Sequence, residues 1–82
     1  MNELGTNVLK VMESSSLGRM SIYVLSKQTA DLGLDLNNLK PGDVVQLSTK
    51  LRTVLPFFLG DETNEVLNQI RKIANGDSVV RT

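Results

Sequence analysis

Residues 41–60 read PGDVVQLSTKLRTVLPFFLG and contain the strongest periodicity in the chain. Pro41 suits the first turn of a helix because its missing N–H has no partner there, and Asp43 favours the positive end of the helix dipole. Apolar side chains then recur every three or four residues: Val44, Leu47, Leu51, Val54 or Leu55, and Phe58. This spacing predicts a helix over 41–59 whose apolar face packs into a bundle of helices.

Pro56 interrupts this predicted helix. Its nitrogen cannot donate a hydrogen bond to the carbonyl of Arg52, and its ring crowds that carbonyl, at a cost of about 3 kcal/mol. Either the helix ends near Leu55 and PFFLG forms a separate turn, or the helix kinks at the proline and continues. We favour the kink, because the apolar spacing stays in phase as far as Phe58.

The apolar run around the proline is wider than one helix face. Phe57 lies about 100° around the helix axis from Phe58 and about 200° from Leu55, so a single face cannot bury all three. Either neighbouring helices of the same chain cover both sides, or a second molecule covers part of the run. We assign three residues to the core: Leu47, Leu51 and Phe58. We predict that the interaction surface consists of residues outside the main apolar helix faces: Phe57, Leu59, Val45 and Tyr23.

Two segments outside 41–59 also show a clear helical pattern. One lies near 2–14, where apolar residues at helical spacing run up to the serines at 14–16, which predict a turn. The other lies near 62–75, with Asp61 and Glu62 at its start and Gly76 after its end. Both segments are predicted to bury one apolar face.

The segment 18–33 is ambiguous over residues 20–25. Met20, Ile22 and Val24 alternate as in a strand, but the same region also suits a helix with a wide apolar face. The segment continues without a turn signal to Gly33, a common helix end, and the chain contains no second strand candidate to pair with it. We therefore predict a helix, followed by a loop anchored in the core by its leucines.

The chain has 82 residues, which allows one domain with a modest core. We predict an all-α, compact four-helix bundle-like domain over 1–76, with its third helix kinked at Pro56, and a flexible tail over 77–82. No segment carries the basic and apolar pattern of a signal peptide, and no apolar run is long enough to cross a membrane. We expect a soluble, cytoplasmic protein without membrane contact.

The composition removes most catalytic chemistry. The chain has no cysteine and no histidine, so it lacks thiol nucleophiles, the usual proton shuttle and the commonest metal ligands. It also lacks a glycine-rich phosphate loop and a nucleophile–base pair. We expect no enzymatic activity, no cofactor, no metal site and no small-molecule substrate.

Nine basic and nine acidic residues give a formal net charge of zero, so no long-range field attracts nucleic acid. We therefore predict a protein–protein interaction or dimerisation module, whose partner is another protein or a second copy, as a regulatory part of a larger assembly. The alternative is a helix-turn-helix-like nucleic-acid-binding or transcription-regulatory domain. Its candidate contacts are the cations of two helices: Lys50, Arg52, Arg71 and Lys72.

Overall fold

The computed structural model describes residues 1–75, and every regular element in that range is helical. The all-α prediction is confirmed. The α-helices, in chain order, are α1 (Glu3–Glu13), α2 (Ser21–Leu32), α3 (Pro41–Val54), α4 (Pro56–Leu59) and α5 (Glu62–Asn75). A 3₁₀ turn at Gly18–Met20 leads into α2. The predicted helix-ending Gly76 and the predicted tail over 77–82 lie outside the described residues.

α1 is fixed at its start by Asn2. The side-chain Oδ1 of Asn2 accepts a hydrogen bond from the backbone N–H of Gly5 at 2.9 Å, which caps the first turn. The Nδ2 of Asn2 donates to the carbonyl of Leu39 at 2.9 Å, so the start of α1 is tied to the loop before α3. At the other end, the hydroxyl of Ser14 donates to the carbonyl of Val11 at 2.7 Å. The serine turn predicted from the sequence therefore closes α1.

The ambiguous segment forms a helix. Residues 18–20 make the 3₁₀ turn, and α2 runs from Ser21 with Val24 and Leu25 buried. α2 ends at Gly33, which adopts the left-handed conformation with φ 71° and ψ 25°. Glycine reaches this conformation without steric cost, so this residue sets where α2 stops and the loop begins.

The predicted helix over 41–59 is divided at Leu55 into α3 and the one-turn α4. Leu55 keeps helical dihedral angles, φ −60° and ψ −33°, and its N–H donates to the carbonyl of Leu51 at 2.8 Å. Pro56 follows without an N–H, and the N–H of Phe58 donates to the carbonyl of Leu55 at 2.9 Å, across three residues instead of four. The chain keeps a helical course past the proline, while the hydrogen-bond ladder is interrupted.

The assignment of Phe58 to the core is wrong, because 50% of this residue is exposed. Leu47 and Leu51 are fully buried as predicted, and Leu55 occupies the next buried position. The N–H of Leu59 donates to the carbonyl of Leu55 at 2.7 Å, so the spacing of four that joins Leu51 to Leu55 continues to Leu59. Leu59 therefore packs against the core one turn after Leu55, and Phe58 lies to the side of this seam.

The core is aliphatic and is centred on α3. It consists of fourteen side chains: Val8, Met12, Leu17, Val24, Leu25, Leu39, Val44, Leu47, Leu51, Leu55, Val66, Leu67, Ile70 and Ile73. α3 packs most extensively against α5, and α5 also packs against α1, whereas α2 packs less extensively against α3. Within residues 1–75, each helix is too short or too polar to span a lipid bilayer.

Candidate docking surface

Over residues 1–75, no three side chains of the types that ligate metals come together. The exposed carboxylate of Asp35 accepts hydrogen bonds from the backbone N–H of Asn37 at 2.8 Å and from the side chain of Asn38 at 3.0 Å. Both bonds lower the pKa of Asp35, and the one from the Asn37 backbone N–H has the larger effect. The same bonds stabilise the turn between α2 and α3, which accounts for this carboxylate structurally.

The Asp61–Glu62 pair also has a structural explanation. Glu62 is the first residue of α5, where a carboxylate is favoured by the helix dipole. Its Oε1 also accepts a hydrogen bond from the backbone N–H of Ser16 at 3.2 Å. This contact joins the start of α5 to the turn after α1, beside a small cleft of about 80 Å³.

All three aromatic residues of the chain are exposed. The exposed fraction is 88% for Phe57, 70% for Tyr23 and 50% for Phe58, whereas the buried hydrophobic residues are all aliphatic or methionine. Aromatic side chains supply the largest apolar areas in cores and are enriched at protein–protein contacts. None of the three aromatic side chains contributes to the described core, and all three are available on the surface.

Two of these aromatic side chains line a groove between α2 and the junction of α3 with α4. The groove has a volume of about 360 Å³. Its lining residues are Met20, Tyr23, Val24, Lys27, Gln28, Val54 and Phe58. Residues three or four positions apart on a helix share a face, so the spacing of 20, 23 and 27 on one wall and of 54 and 58 on the other explains why they meet here.

A second groove of about 430 Å³ lies between the same two helices. It is lined by Leu32, Gln46, Thr49, Lys50 and Thr53. The end of α2 therefore lies beside the middle of α3, and the start of α2 lies beside the end of α3, so the two helices are antiparallel. We call the two openings together the α2–α3 groove; its walls run from Met20 to Leu32 and from Gln46 to Phe58.

One buried polar atom of the α2–α3 groove wall is not satisfied. Gln28 is only 6% exposed, and its Oε1 has no hydrogen-bond partner within the part of the chain that the structure describes. Such an atom costs about 1–3 kcal/mol relative to a satisfied one. Ser21 Oγ and Thr63 Oγ1 are also buried without a partner among residues 1–75, but neither residue lines the groove.

Charge is distributed unevenly with respect to the α2–α3 groove. Segments 14–30 and 44–60 supply every lining residue except Leu32 and contain no acidic residue. They contain four basic residues: Arg19, Lys27, Lys50 and Arg52. These segments therefore carry a net charge of +4, and the rest of the chain, with nine acidic and five basic residues, carries −4. Lys27 also forms an exposed ion pair with Asp31, with 3.6 Å between Nζ and Oδ2.

The structure separates the four residues predicted for the interaction surface. Phe57, Tyr23 and Val45 are exposed, whereas Leu59 is half-buried and packs against the core. Of these four, only Tyr23 lines the α2–α3 groove. Phe57 lies beside the groove on α4.

The four predicted nucleic-acid contacts do not share one helix face. Lys50 lines the α2–α3 groove, but Arg52 is about 200° further around α3 and is exposed. Arg71 and Lys72 lie near the end of α5, half-buried and exposed respectively. Cations that point away from one another on α3 make a poor recognition helix, since base contacts require several side chains on one face.

Sequence reasoning missed part of the groove. Met20, Val54 and Phe58 fit the helical seams and were assigned to apolar faces, and Gln28 carries no distinctive pattern. The absence of acidic residues from 14–30 and 44–60 was a signal available in the sequence, because both segments line the same groove. Comparisons with protein-family models, with curated proteins and with solved structures found no match to this chain.

Proposed function

We propose that this chain is a non-catalytic protein–protein interaction or dimerisation module, and that its exposed aromatic side chains form the contact surface. The observation that carries the proposal is the exposure of Phe57, Tyr23 and Phe58 in a domain whose described core contains no aromatic side chain. Burying a large apolar side chain contributes about 1.5–3 kcal/mol, and the isolated domain forgoes much of this at all three positions. A bound protein that covers them recovers it.

One further exposed residue, Met20, supports the same surface. Met20 is about half exposed and lines the α2–α3 groove with Tyr23 and Phe58. Methionine side chains adapt to irregular partners and are common on binding surfaces. An apolar patch of this kind, surrounded by polar and basic residues, is typical of a docking site.

Nucleic-acid binding is the second candidate, and the net charge of +4 over 14–30 and 44–60 is the observation that favours it. The apolar lining of the groove argues against it, because phosphate oxygens require donors and not hydrocarbon. Retention of the protein on a duplex DNA column at low salt, with a steep loss as salt is raised, would favour this candidate over the first.

Site-specific photocrosslinking in the cells that produce the protein tests the proposed function. The photoreactive residue benzoylphenylalanine replaces Tyr23, Phe57 or Phe58 in three separate variants. It replaces Lys10, an exposed residue of α1, in a matched control. We expect crosslinked protein adducts from the three aromatic positions and not from Lys10, because only the former lie on the proposed contact surface.

Mass spectrometry of the adducts identifies the partner. An adduct with a second copy of the chain supports the dimerisation form of the proposal, and an adduct with another protein supports the interaction form. Crosslinking from the aromatic positions no greater than from Lys10 contradicts both. Circular dichroism of each variant checks that the helices are retained.

A further inference from the structure

Building on the proposed function, we infer that the α2–α3 groove binds an amphipathic helix of another protein, and that this helix carries carboxylates beside its apolar face. The inference rests on two properties of the groove: its shape and lining, and the charge of its lining residues. Each of these restricts the chemistry of the occupant.

The shape of the groove suits a helix. α2 and α3 are antiparallel and pack less extensively against each other than α3 packs against α5. The two openings between them, of about 360 and 430 Å³, lie one after the other along the same pair of helices. Elongated apolar grooves between helices receive the apolar face of a third helix, with anchoring side chains spaced by three, four and seven residues. Met20, Tyr23 and Phe58 supply the apolar contacts at one end.

The charge of the groove walls selects an acidic occupant. Lys27 and Lys50 lie among the lining residues, one in each opening, and no lining residue is acidic. Asp31 of α2 pairs with Lys27 at 3.6 Å, which leaves Lys50 as the cation without an ion pair within residues 1–75. A helix flanked by Asp or Glu places opposite charges at the edges of the groove, whereas a basic helix places like charges there. Such complementarity accelerates association and discriminates against the wrong partner.

A second copy of this chain fits the groove less well than a separate helix. The long helices of the described chain already bury their apolar faces in their own core, with Val8 and Met12 on α1 and Ile70 and Ile73 on α5 as examples. The exposed aromatic side chains lie on α4, which at one turn is too short to fill a groove that follows α2 along its length, and on α2, which itself forms one wall of the groove.

A pair of synthetic peptides tests the inference on the full chain. Each peptide has about 18 residues, with leucine at helical spacing and either glutamate or lysine at all flanking positions. Titration of isotope-labelled protein, followed by NMR, measures both the affinity and the residues whose amide signals move. We expect the glutamate peptide to move the signals of α2, α3 and α4 that border the groove. We expect the lysine peptide to bind about tenfold more weakly or not at all.

Three protein variants complete the test. Lys50→Glu and Phe58→Ser should each weaken binding of the glutamate peptide about tenfold, because they remove a cation and an apolar contact from the groove. Lys10→Glu makes the same charge change on exposed α1 and should leave the affinity unchanged. Since Lys50 and Phe58 are outside the buried core, the variants should remain folded, which circular dichroism checks.

Several results would overturn the inference. Equal affinity of the protein for the two peptides would do so, and so would amide signals that move mainly outside the groove. A third such result is a loss of peptide affinity in Lys10→Glu as large as that in Lys50→Glu. A duplex DNA that moves the groove signals while the glutamate peptide does not would replace it with the nucleic-acid candidate. If the glutamate peptide fails but crosslinks form at Tyr23, Phe57 or Phe58, the proposed function stands and only the inferred partner chemistry is wrong.

Discussion

The two sides of α3 differ in how completely they are covered. One side carries Val44, Leu47 and Leu51, all fully buried, and α3 packs most extensively against α5. The side that borders α2 carries Gln46, Thr49 and other lining residues of an open groove. The contacts that stabilise the domain therefore lie on one side of α3, and its accessible apolar surface lies on the other side. Substitutions on the two sides should therefore have different consequences.

The largest expected effect is the loss of stability on the covered side. Leu51→Ala should reduce the free energy of unfolding by about 3–4 kcal/mol, because it leaves a cavity in a fully packed site. Phe58→Ala removes a larger side chain from the groove but should cost less than about 1 kcal/mol, because half of the residue is already in water. Urea denaturation of the two variants measures the difference. Equal losses would show that the two sides are packed alike.

The next largest effect concerns the end of α2, which fixes one wall of the groove. Gly33→Ala should destabilise the protein by about 1–2 kcal/mol, because alanine is strained at φ 71° even though nothing lies within 4 Å of its Cβ. Gly42→Ala is the matched control, since this glycine in the first turn of α3 has the same open surroundings without a positive φ. There alanine should raise thermal stability slightly through its helix propensity. Effects of the same sign would contradict the backbone explanation.

The smallest effect distinguishes stability from binding within the groove itself. Gln28→Met keeps a side chain of similar length and removes the unsatisfied Oε1, so it should raise the free energy of unfolding by about 1 kcal/mol. The same substitution should leave binding of the glutamate peptide unchanged, because Oε1 is buried beneath the groove surface. Gln69→Met, at an exposed position of α5, should change neither quantity by more than about 0.5 kcal/mol. A loss of stability in Gln28→Met would mean that Oε1 is satisfied in solution.

Local signals in the sequence predicted the helices closely. Pro41 and Asp43 lie in the first turn of α3, where the backbone N–H of Lys40 donates to Oδ2 of Asp43 at 3.1 Å. Gly33 ends α2 as expected. Such features act within a few residues, so they can be recognised in the sequence without knowledge of the neighbouring helices. The predicted kink at Pro56 corresponds to the break between α3 and α4.

The candidate site was predicted less well. Tyr23, Phe57 and Val45 are exposed as the sequence suggested, but Leu59 packs against the core and Phe58 lies in the groove instead of the core. The apolar spacing fits both a step of three from Leu55 to Phe58 and a step of four from Leu55 to Leu59. The structure buries the second of these residues more deeply, and the spacing alone could not choose between them.

The sequence by itself determined that this chain is all-α, approximately where its helices lie, and that it has no thiol or imidazole side chain, because propensity, capping and composition are local properties. Only the tertiary structure decided which apolar side chains remain in water. That outcome depends on how closely α2 approaches α3, and a helix with several apolar positions can bury only those that its neighbours reach. The α2–α3 groove, its basic walls and the unsatisfied Gln28 follow from this packing and from no single segment.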